Sequence, residues 1–437
     1  MKQGSSKYGI WTSSSFIVAN MIGTGVFTSL GFQLLSVDNF FLIMLLWLIG
    51  GIIALCGSLV YGELGAVMPR SGGEYHFLGK LYSPMMGFLA GWISLVVGFS
   101  APVALACLAF SEYVTPLIPW ANPKTVAVIV LSVLTLVHLF SLFVSGWVQN
   151  ALTALKVIAI IGFIIIGFLH SGDSSGVISQ SVSTFRWGDL FSGGFAVCII
   201  WVYYAYSGWN AAAYIVDDIE KPQVNLPRAL FFSTLFVTVL YLLLNAMFLL
   251  STPADSLKGE VEIGLIVANH LFGSRGNVWG WIIAFFLLSS CSSMIFVGPR
   301  VSCRMGEDHA IFRFLSWGKR KGIPTNAIIF QYLLSLFMIL TGTFKSITEY
   351  SGILLSLCSL LTVLGLFIHR KRYPDMERPF RTPLYPLTPI LFGIPLVASI
   401  FFLMWQSVWN LVFSGGILLI GIIVYYIDKY AFKKTRQ

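Results

Sequence analysis

Asn20-Met21-Ile22-Gly23-Thr24-Gly25-Val26-Phe27 lies midway along an apolar run from about Tyr8 to Leu35, long enough to cross a bilayer as a helix. Two glycines flank a threonine there. Each glycine weakens a helix interior by roughly 0.8–1 kcal/mol relative to alanine. Glycine also frees the backbone to leave helical angles and lets another molecule come close. In hydrocarbon, the N–H and C=O groups released by such a break are tolerated only against protein or a polar cavity. The stretch therefore reads as a broken membrane helix whose open backbone lines a small polar site.

The rest of the chain supplies the membrane. Its 437 residues are 57% hydrophobic and 10% charged, against about 25% charged in soluble domains. Twelve spans are expected, at about 8–35, 40–67, 84–114, 123–144, 147–169, 190–215, 228–251, 277–304, 324–342, 346–369, 385–407 and 410–430. No polar linker of domain size separates them, so one membrane domain over 1–437 is expected. The first segment lacks a small-residue cleavage site, so it is expected to stay as a span.

Of the 27 lysines and arginines, 21 fall on one side of these spans, among them Lys2, Arg70, Arg228, Arg304, Lys321, Arg370, Lys433, Lys434 and Arg436. Five (Lys124, Arg186, Lys258, Arg275 and Lys345) fall on the other, and Lys156 is left inside a span. That bias puts both termini in the cytoplasm of a multi-pass protein of the plasma (inner) membrane. The net charge of +9 reflects this topology and implies no nucleic-acid partner; membrane lipid is the surrounding phase. The six cysteines lie in or beside spans with no CxxC spacing, which suits apolar packing better than a disulfide framework. The loops expected outside hold none, so no disulfide-linked subunit is expected.

Lys156 is about nine residues into its span, roughly 13 Å deep in a core about 30 Å thick. A lysine stem of roughly 6 Å does not reach water from there. An ionisable group at that depth marks a functional site. Span 6 carries a second break signal, Tyr203-Tyr204-Ala205-Tyr206-Ser207-Gly208-Trp209-Asn210. Breaks five spans apart, in helices running in opposite directions, are the trace of an inverted repeat. The expected fold is all-α: a 5+5 inverted repeat of the leucine-transporter type, with discontinuous helices 1 and 6. Residues 8–169 form one repeat, 190–369 the second, and 385–430 two added helices.

Half-helix ends carry partial charge. The N–H groups at Ile22, Gly23, Thr24 and Gly25 suit a carboxylate. The carbonyls at Ala19, Asn20, Tyr204, Ala205 and Ser207 suit an ammonium. Together they are shaped for a zwitterion, and an α-amino acid is the obvious one. Tyr204 and Trp209 are the candidate gate and pocket wall. If the Lys156 ammonium lies between spans 1 and 8, holding span 1 carbonyls and Ser289 or Ser290, it replaces a sodium ion. Transport without sodium is then expected, with a proton cycle through Lys156 as the variant. No Asp or Glu is expected at mid-depth, since Glu63, Glu112, Asp217 and Asp218 fall near span ends; a neutral substrate is therefore expected. No catalytic residue, metal site or cofactor is expected. Glu63 reads as a gate or as a cap that pairs with Arg70, His138 as packed structure, and Glu74–Tyr82 as a short surface helix. Residues 255–272, apolar at helical spacing, read as a lid or a surface helix.

These residues resemble the amino acid–polyamine–organocation (APC) superfamily. The resemblance rests on Ile22-Gly23-Thr24-Gly25-Val26-Phe27, on Gly62-Glu63-Leu64 with Pro69-Arg70-Ser71-Gly72-Gly73-Glu74-Tyr75, on Tyr206-Ser207-Gly208-Trp209-Asn210 and on Asn225-Leu226-Pro227-Arg228-Ala229. The Gly-Trp-Asn version, with Lys156, is most similar to the L-type amino-acid transporter branch and its bacterial relatives. It implies ten core helices plus two, carboxylate binding at Gly23–Gly25, ammonium binding at span 6 carbonyls, a gate at Tyr204 and Lys156 in the sodium position. Relatives that handle arginine or agmatine tend to have an acid where Asn210 stands. Where the family has Ser-Arg…Ala-Arg-Asp-Gly after span 8, this chain has Pro299-Arg300…Gly306-Glu307-Asp308-His309, which unsettles the inner-gate ion pairs. The heteromeric relatives have a cysteine between spans 3 and 4, and Thr115–Pro123 has none.

The expected function is a sodium-independent carrier of neutral L-amino acids, working by exchange or proton-coupled uptake. A cationic amino-acid or polyamine carrier, and a sensor that binds without flux, are the alternatives. An intramembrane enzyme would want paired carboxylates, a Ser/His pair or an HExxH motif, and His138 stands alone.

Overall fold

The computed structural model describes residues 7–118, 120–140, 146–172, 175–317, 319–320 and 323–431. Lys2, Lys321, Lys433, Lys434 and Arg436, and the last residues of the expected fourth span, lie outside them. Among the described residues the regular structure is helical apart from one two-residue strand pair, Lys319–Arg320 with Ile323–Pro324, and an isolated bridge between Tyr8 and Ile219. Among the described residues, ten helical stretches are long and apolar enough to cross a membrane.

The first expected span is two helices, α1 (Ile10–Met21) and α2 (Thr24–Leu34). Then come α3 (Phe40–Val67), the short α4 (Glu74–Leu81) and α5 (Pro84–Ile93). A π turn at Ser94–Gly98 leads into α6 (Ser100–Val114). Next are α7 (Pro123–Phe140), α8 (Gly146–His170) and α9 (Ser175–Thr184). The second half begins with α10 (Gly193–Tyr206), a 3₁₀ run at Ala211–Asp218 and α11 (Pro222–Ser251). It continues with α12 (Ile263–Phe272), α13 (Asn277–Asp308) and α14 (Arg313–Ser316). It ends with α15 (Thr325–Thr341), α16 (Phe344–Arg372), α17 (Leu387–Gln406) and α18 (Val408–Ala431).

Two expected spans fall short of the ten. α10 has 14 residues because it stops at the Ser207–Gly208 break, short of the expected end near 215; α15 has 17. The helix α9 is outside the sequence expectation: seven of its ten residues are small or polar, and Val177, Ile178 and Val182 are too few to give a span signal.

The broken helices lie at the centre. α1 packs on α11, α8 and α13, while α2 packs on α10, α12 and α6. α3 and α11 run side by side behind them. The periphery faces outward with apolar side chains, such as Ile129, Val133 and Leu136 on α7 and Trp409, Leu411 and Phe413 on α18. In water such a surface would be unfavourable, and in lipid it is the solvated one.

The helix expected within residues 255–272 is present over part of that length. α12 is helical and its Leu265, Val267 and Ala268 are buried, as is Leu257 before it. The Tyr113 hydroxyl ties it to α2, donating to Phe27 O at 3.0 Å and accepting Gly264 N–H at 2.9 Å. On the opposite, basic side, Tyr8 at the chain's start pairs with Asp218 O and Glu220 N–H. Ser71 and Asp217 exchange hydrogen bonds there as well.

Glu63 does not meet Arg70. Its fully buried carboxylate accepts from Arg370 Nη2 at 2.6 Å and the Thr382 N–H at 2.7 Å, and Arg378 Nε lies 3.2 Å away as an ion pair without a hydrogen bond. Two guanidiniums from far along the chain neutralise it, so it fastens α16 and its following loop to α3. His138 is buried, with Nε2 2.8 Å from the Ser292 hydroxyl.

Candidate functional site

The helix ladder of α1 ends at Ile22, whose N–H reaches Val18 O at 2.9 Å. Ile22 then leaves helical angles at φ −76°, ψ 82°. The Gly23 N–H, the next donor due to reach Ala19 O, turns to Met21 O at 2.8 Å instead. The chain resumes as α2 at Thr24. The first N–H groups of a helix have no carbonyl inside it, so Thr24 and Gly25 open α2 with donors aimed out of its N-terminus. Of the four residues expected to offer N–H groups, these two keep them available to a ligand. Ile22 and Gly23 turn theirs back onto α1.

Lys156 is 1% exposed and crosses from α8 to this break. Its Nζ donates to Ile22 O at 3.0 Å and to Ser290 Oγ at 2.7 Å. Ser290 in turn donates to Ile22 O at 2.9 Å. Ser290, not the half-buried Ser289, is the serine that meets the cation. Ile22 thus contributes a carbonyl to the ammonium.

The second break faces the first. Gly208 has φ +100°, a left-handed conformation that glycine adopts at little cost. A Cβ on it would lie 2.8 Å from the Asn20 carbonyl. A Cβ on Gly25 would collide with Ala205 Cα. Each break therefore packs, through a glycine, on the backbone of the other. The Tyr204 carbonyl is taken by Ser207 N–H at 2.9 Å. The Ala205 carbonyl accepts the Tyr241 hydroxyl at 3.2 Å, so both are engaged within the protein. Tyr204 is buried with its phenol facing the Thr24 hydroxyl. Trp209 is buried, edge-on to Tyr61 at 4.7 Å, with Phe392 at 6.2 Å.

A narrow cavity, with about 60 Å³ open to water-sized solvent, runs beside the second break. Asn20, Ser207, Gly208, Trp209 and Asn210 line it, with Phe99, Tyr203 and Glu74.

Two residues here escape the sequence reading. Tyr241 on α11 donates to Met21 O at 2.5 Å as well as to Ala205 O, so one phenol serves both breaks. A lone tyrosine in an apolar helix must find a partner when buried, but the sequence does not say which. Glu74, read as part of a surface helix, is 1% exposed. It accepts Tyr61 OH at 2.6 Å, Ser359 OH at 2.9 Å and Asn210 Nδ2 at 3.3 Å. Gly73, at φ +53° with the Tyr214 ring against it, turns the chain inward there. The Gly-Gly pair before an acid is the available signal.

At the C-terminal end of α13, the departing run makes contacts of its own. Arg304 pairs with Glu307 at 3.1 Å, Tyr75 OH reaches Asp308 at 2.7 Å and His309 Nδ1 lies 2.9 Å from Asp428. Among the described residues no cluster of His, Cys, Asp or Glu is placed to hold a metal ion.

Comparison with known proteins agrees with this architecture. The mouse (Mus musculus) "b(0,+)-type amino acid transporter 1" is 27% identical, covering 97% of this chain and 88% of its own. The mouse "Large neutral amino acids transporter small subunit 2" is 28% identical, covering 97% and 81%. The human (Homo sapiens) form of the first is 26% identical over 96% and 87%. The family model described as "Amino acid permease" matches residues 8–426, and the chain is a member of that family.

Proposed function

We propose that the chain is a secondary transporter of neutral L-amino acids, working by alternating access and without sodium. One observation carries this reading: two helix breaks touch through Gly208 and Gly25, with a fixed ammonium at the first. The N–H groups of Thr24 and Gly25 receive the substrate carboxylate. Carbonyls of Ala19, Asn20 and the Ser207 turn receive its ammonium. Tyr204 closes over the site, and Trp209 and Asn210 bound the side chain. The Lys156 ammonium, with Ser290, does the electrostatic work of a sodium ion between α1 and α13. The printed name "Large neutral amino acids transporter small subunit 2" points to the same substrate class, and that of the other relative to amino acids in general.

In this reading α10 and α15 count as spans, which gives twelve. Residues 8–169 and 190–369 are inverted five-helix repeats of one transport domain, with two further helices in 385–430. The basic side faces the cytoplasm of a bacterial inner membrane, with both termini there. All six cysteines are buried, and no disulfide-linked subunit is invoked. Exchange of one amino acid for another is the first choice of mode, proton symport the second. A cationic substrate is the second reading, favoured by one observation, the Glu74 carboxylate at the cavity. Glu74 already has neutral donors from four neighbours, and Asn210 is an amide, so the neutral substrate is preferred.

Radiolabelled uptake into proteoliposomes tests this. Uptake should require unlabelled amino acid inside and be indifferent to Na⁺. Sodium-dependent uptake would overturn the role given to Lys156, and so would full activity in Lys156→Ala. Arginine or a polyamine outcompeting leucine would move the assignment to the cationic class.

A further inference from the structure

Glu74 is the carboxylate at the cavity, and the neutral-substrate reading gives it no task. Its carboxylate sits where four pieces of chain converge. Tyr61 comes from α3, Asn210 from the turn after α10, Tyr214 from the 3₁₀ run and Ser359 from α16. All four donors are neutral, and an ionised carboxylate has about four acceptor positions to offer them. The charge is therefore solvated by protein dipoles rather than by a partner cation. Gly73, with backbone N–H on Ala213 O at 3.2 Å, docks α4 directly under the second break.

We propose that Glu74 is a positioning residue that holds the basic-side end of the site shut, and that the proton on its carboxyl sets how often that end opens. The inference rests on reading the cavity as a transport site and adds its regulation by pH. Any opening on this side must part Asn210 and Tyr214 from α3 and α16, and Glu74 joins them. Opening also wets the carboxyl. In the closed form burial pushes its pKa up, against the opposing pull of its hydrogen bonds from Tyr61, Ser359, Tyr214 and Asn210. Exposed to water, the group returns to its ordinary range. Protons are thus bound more tightly by the closed form, so acid favours closure and alkali favours opening. The other titratable groups facing Glu74 are Tyr61 on α3, Tyr203 on α10, Tyr214 and Cys358 on α16. Phenols and thiols ordinarily titrate near 10 and 8.5, above the carboxyl. On α4 itself, burial lowers His76 to about 4, so it is neutral near pH 7.

Cys358 is a native reporter, buried beside Glu74. Its labelling by a membrane-impermeant maleimide is read by peptide mass spectrometry, which separates it from the other cysteines. Rates are compared between wild type and Glu74→Gln from about pH 5 to pH 8. Glutamine keeps the shape and an acceptor but cannot ionise. The ratio of wild type to Glu74→Gln cancels the thiol's own ionisation. It should climb with pH, by up to about tenfold for each pKa unit that separates the closed and open forms. Glu74→Asp should restore a climbing profile with faster labelling throughout. A ratio flat with pH overturns the inference. Amino-acid exchange is measured on the same liposomes. Absent exchange with a climbing ratio refutes the transport reading alone, and normal exchange with a flat ratio refutes only the role of Glu74.

Discussion

The two helix breaks differ in what holds them. The first, between α1 and α2, is held by chemistry. An ammonium and a serine hydroxyl meet at Ile22 O, a phenol meets Met21 O, and the α-helix resumes two residues later. The second is held by conformation. Gly208 at φ +100° turns the chain, Ser207 N–H caps Tyr204 O locally, and the chain continues as a 3₁₀ run that leaves helical angles at Ile215. A break pinned by a charge from a distant helix is costly to rearrange. A break set by one backbone dihedral and a few neutral contacts is the cheaper hinge, and it carries Asn210 down to Glu74.

The largest expected effect comes from removing that conformational freedom. Gly208→Ala would force a left-handed alanine, at about 1–2 kcal/mol, and press its Cβ to 2.8 Å from Asn20 O. With overpacking of a further 1–3 kcal/mol, exchange should fall about a hundredfold at tenfold per 1.4 kcal/mol. Radiolabelled exchange, normalised to protein in the membrane, measures it. Near wild-type exchange would mean that the second break is not set by Gly208, and the comparison would fail.

Next is the charged break. Ser290→Ala removes an acceptor from Lys156 and a donor from Ile22 O. A hydrogen bond to a charged group contributes about 1.5–3 kcal/mol, and Lys156 itself still holds Ile22 O. Exchange should fall about tenfold. Ser289→Ala should leave exchange unchanged. Equal losses in the two variants would put the cation somewhere other than Ser290.

That pair of serines shows what is legible in the sequence. Both breaks are visible because glycine stands there among polar residues, Thr24 at the first and Ser207 and Asn210 at the second, and Lys156 because a charge cannot hide in an apolar run. Which serine faces it is not, since neighbours on a helix point about 100° apart and only the packing of α1 against both α8 and α13 fixes the phase. The sequence pairs Glu63 with the nearby Arg70, whereas its partners Arg370 and Arg378 come from across the fold. Glu74 is missed for the same reason. Local sequence describes α4 as a polar helix after a turn, and its burial depends on α16 and the 3₁₀ run closing over it. The end of the sixth span is misjudged because apolar residues continue past the point where Gly208 breaks the helix.

The smallest effect belongs to the one side chain that serves both breaks. Tyr241 has a single hydroxyl proton and two carbonyls in reach, Met21 O at 2.5 Å and Ala205 O at 3.2 Å. It cannot satisfy both fully, so removing it forfeits about one neutral hydrogen bond, roughly 1 kcal/mol. Tyr241→Phe keeps the ring against Trp47 and Tyr206 and should slow exchange about fivefold. The phenol reaches backbone rather than the cavity wall, so the loss should fall on the maximal rate and leave KM nearly unchanged. A raised KM at an unchanged maximal rate would place the hydroxyl against the substrate, and the two breaks would no longer be joined through a shared donor. A loss in rate alone means that the pinned break and the hinged one move under one constraint, which a carrier needs if its two half-helices are to turn together around one bound molecule.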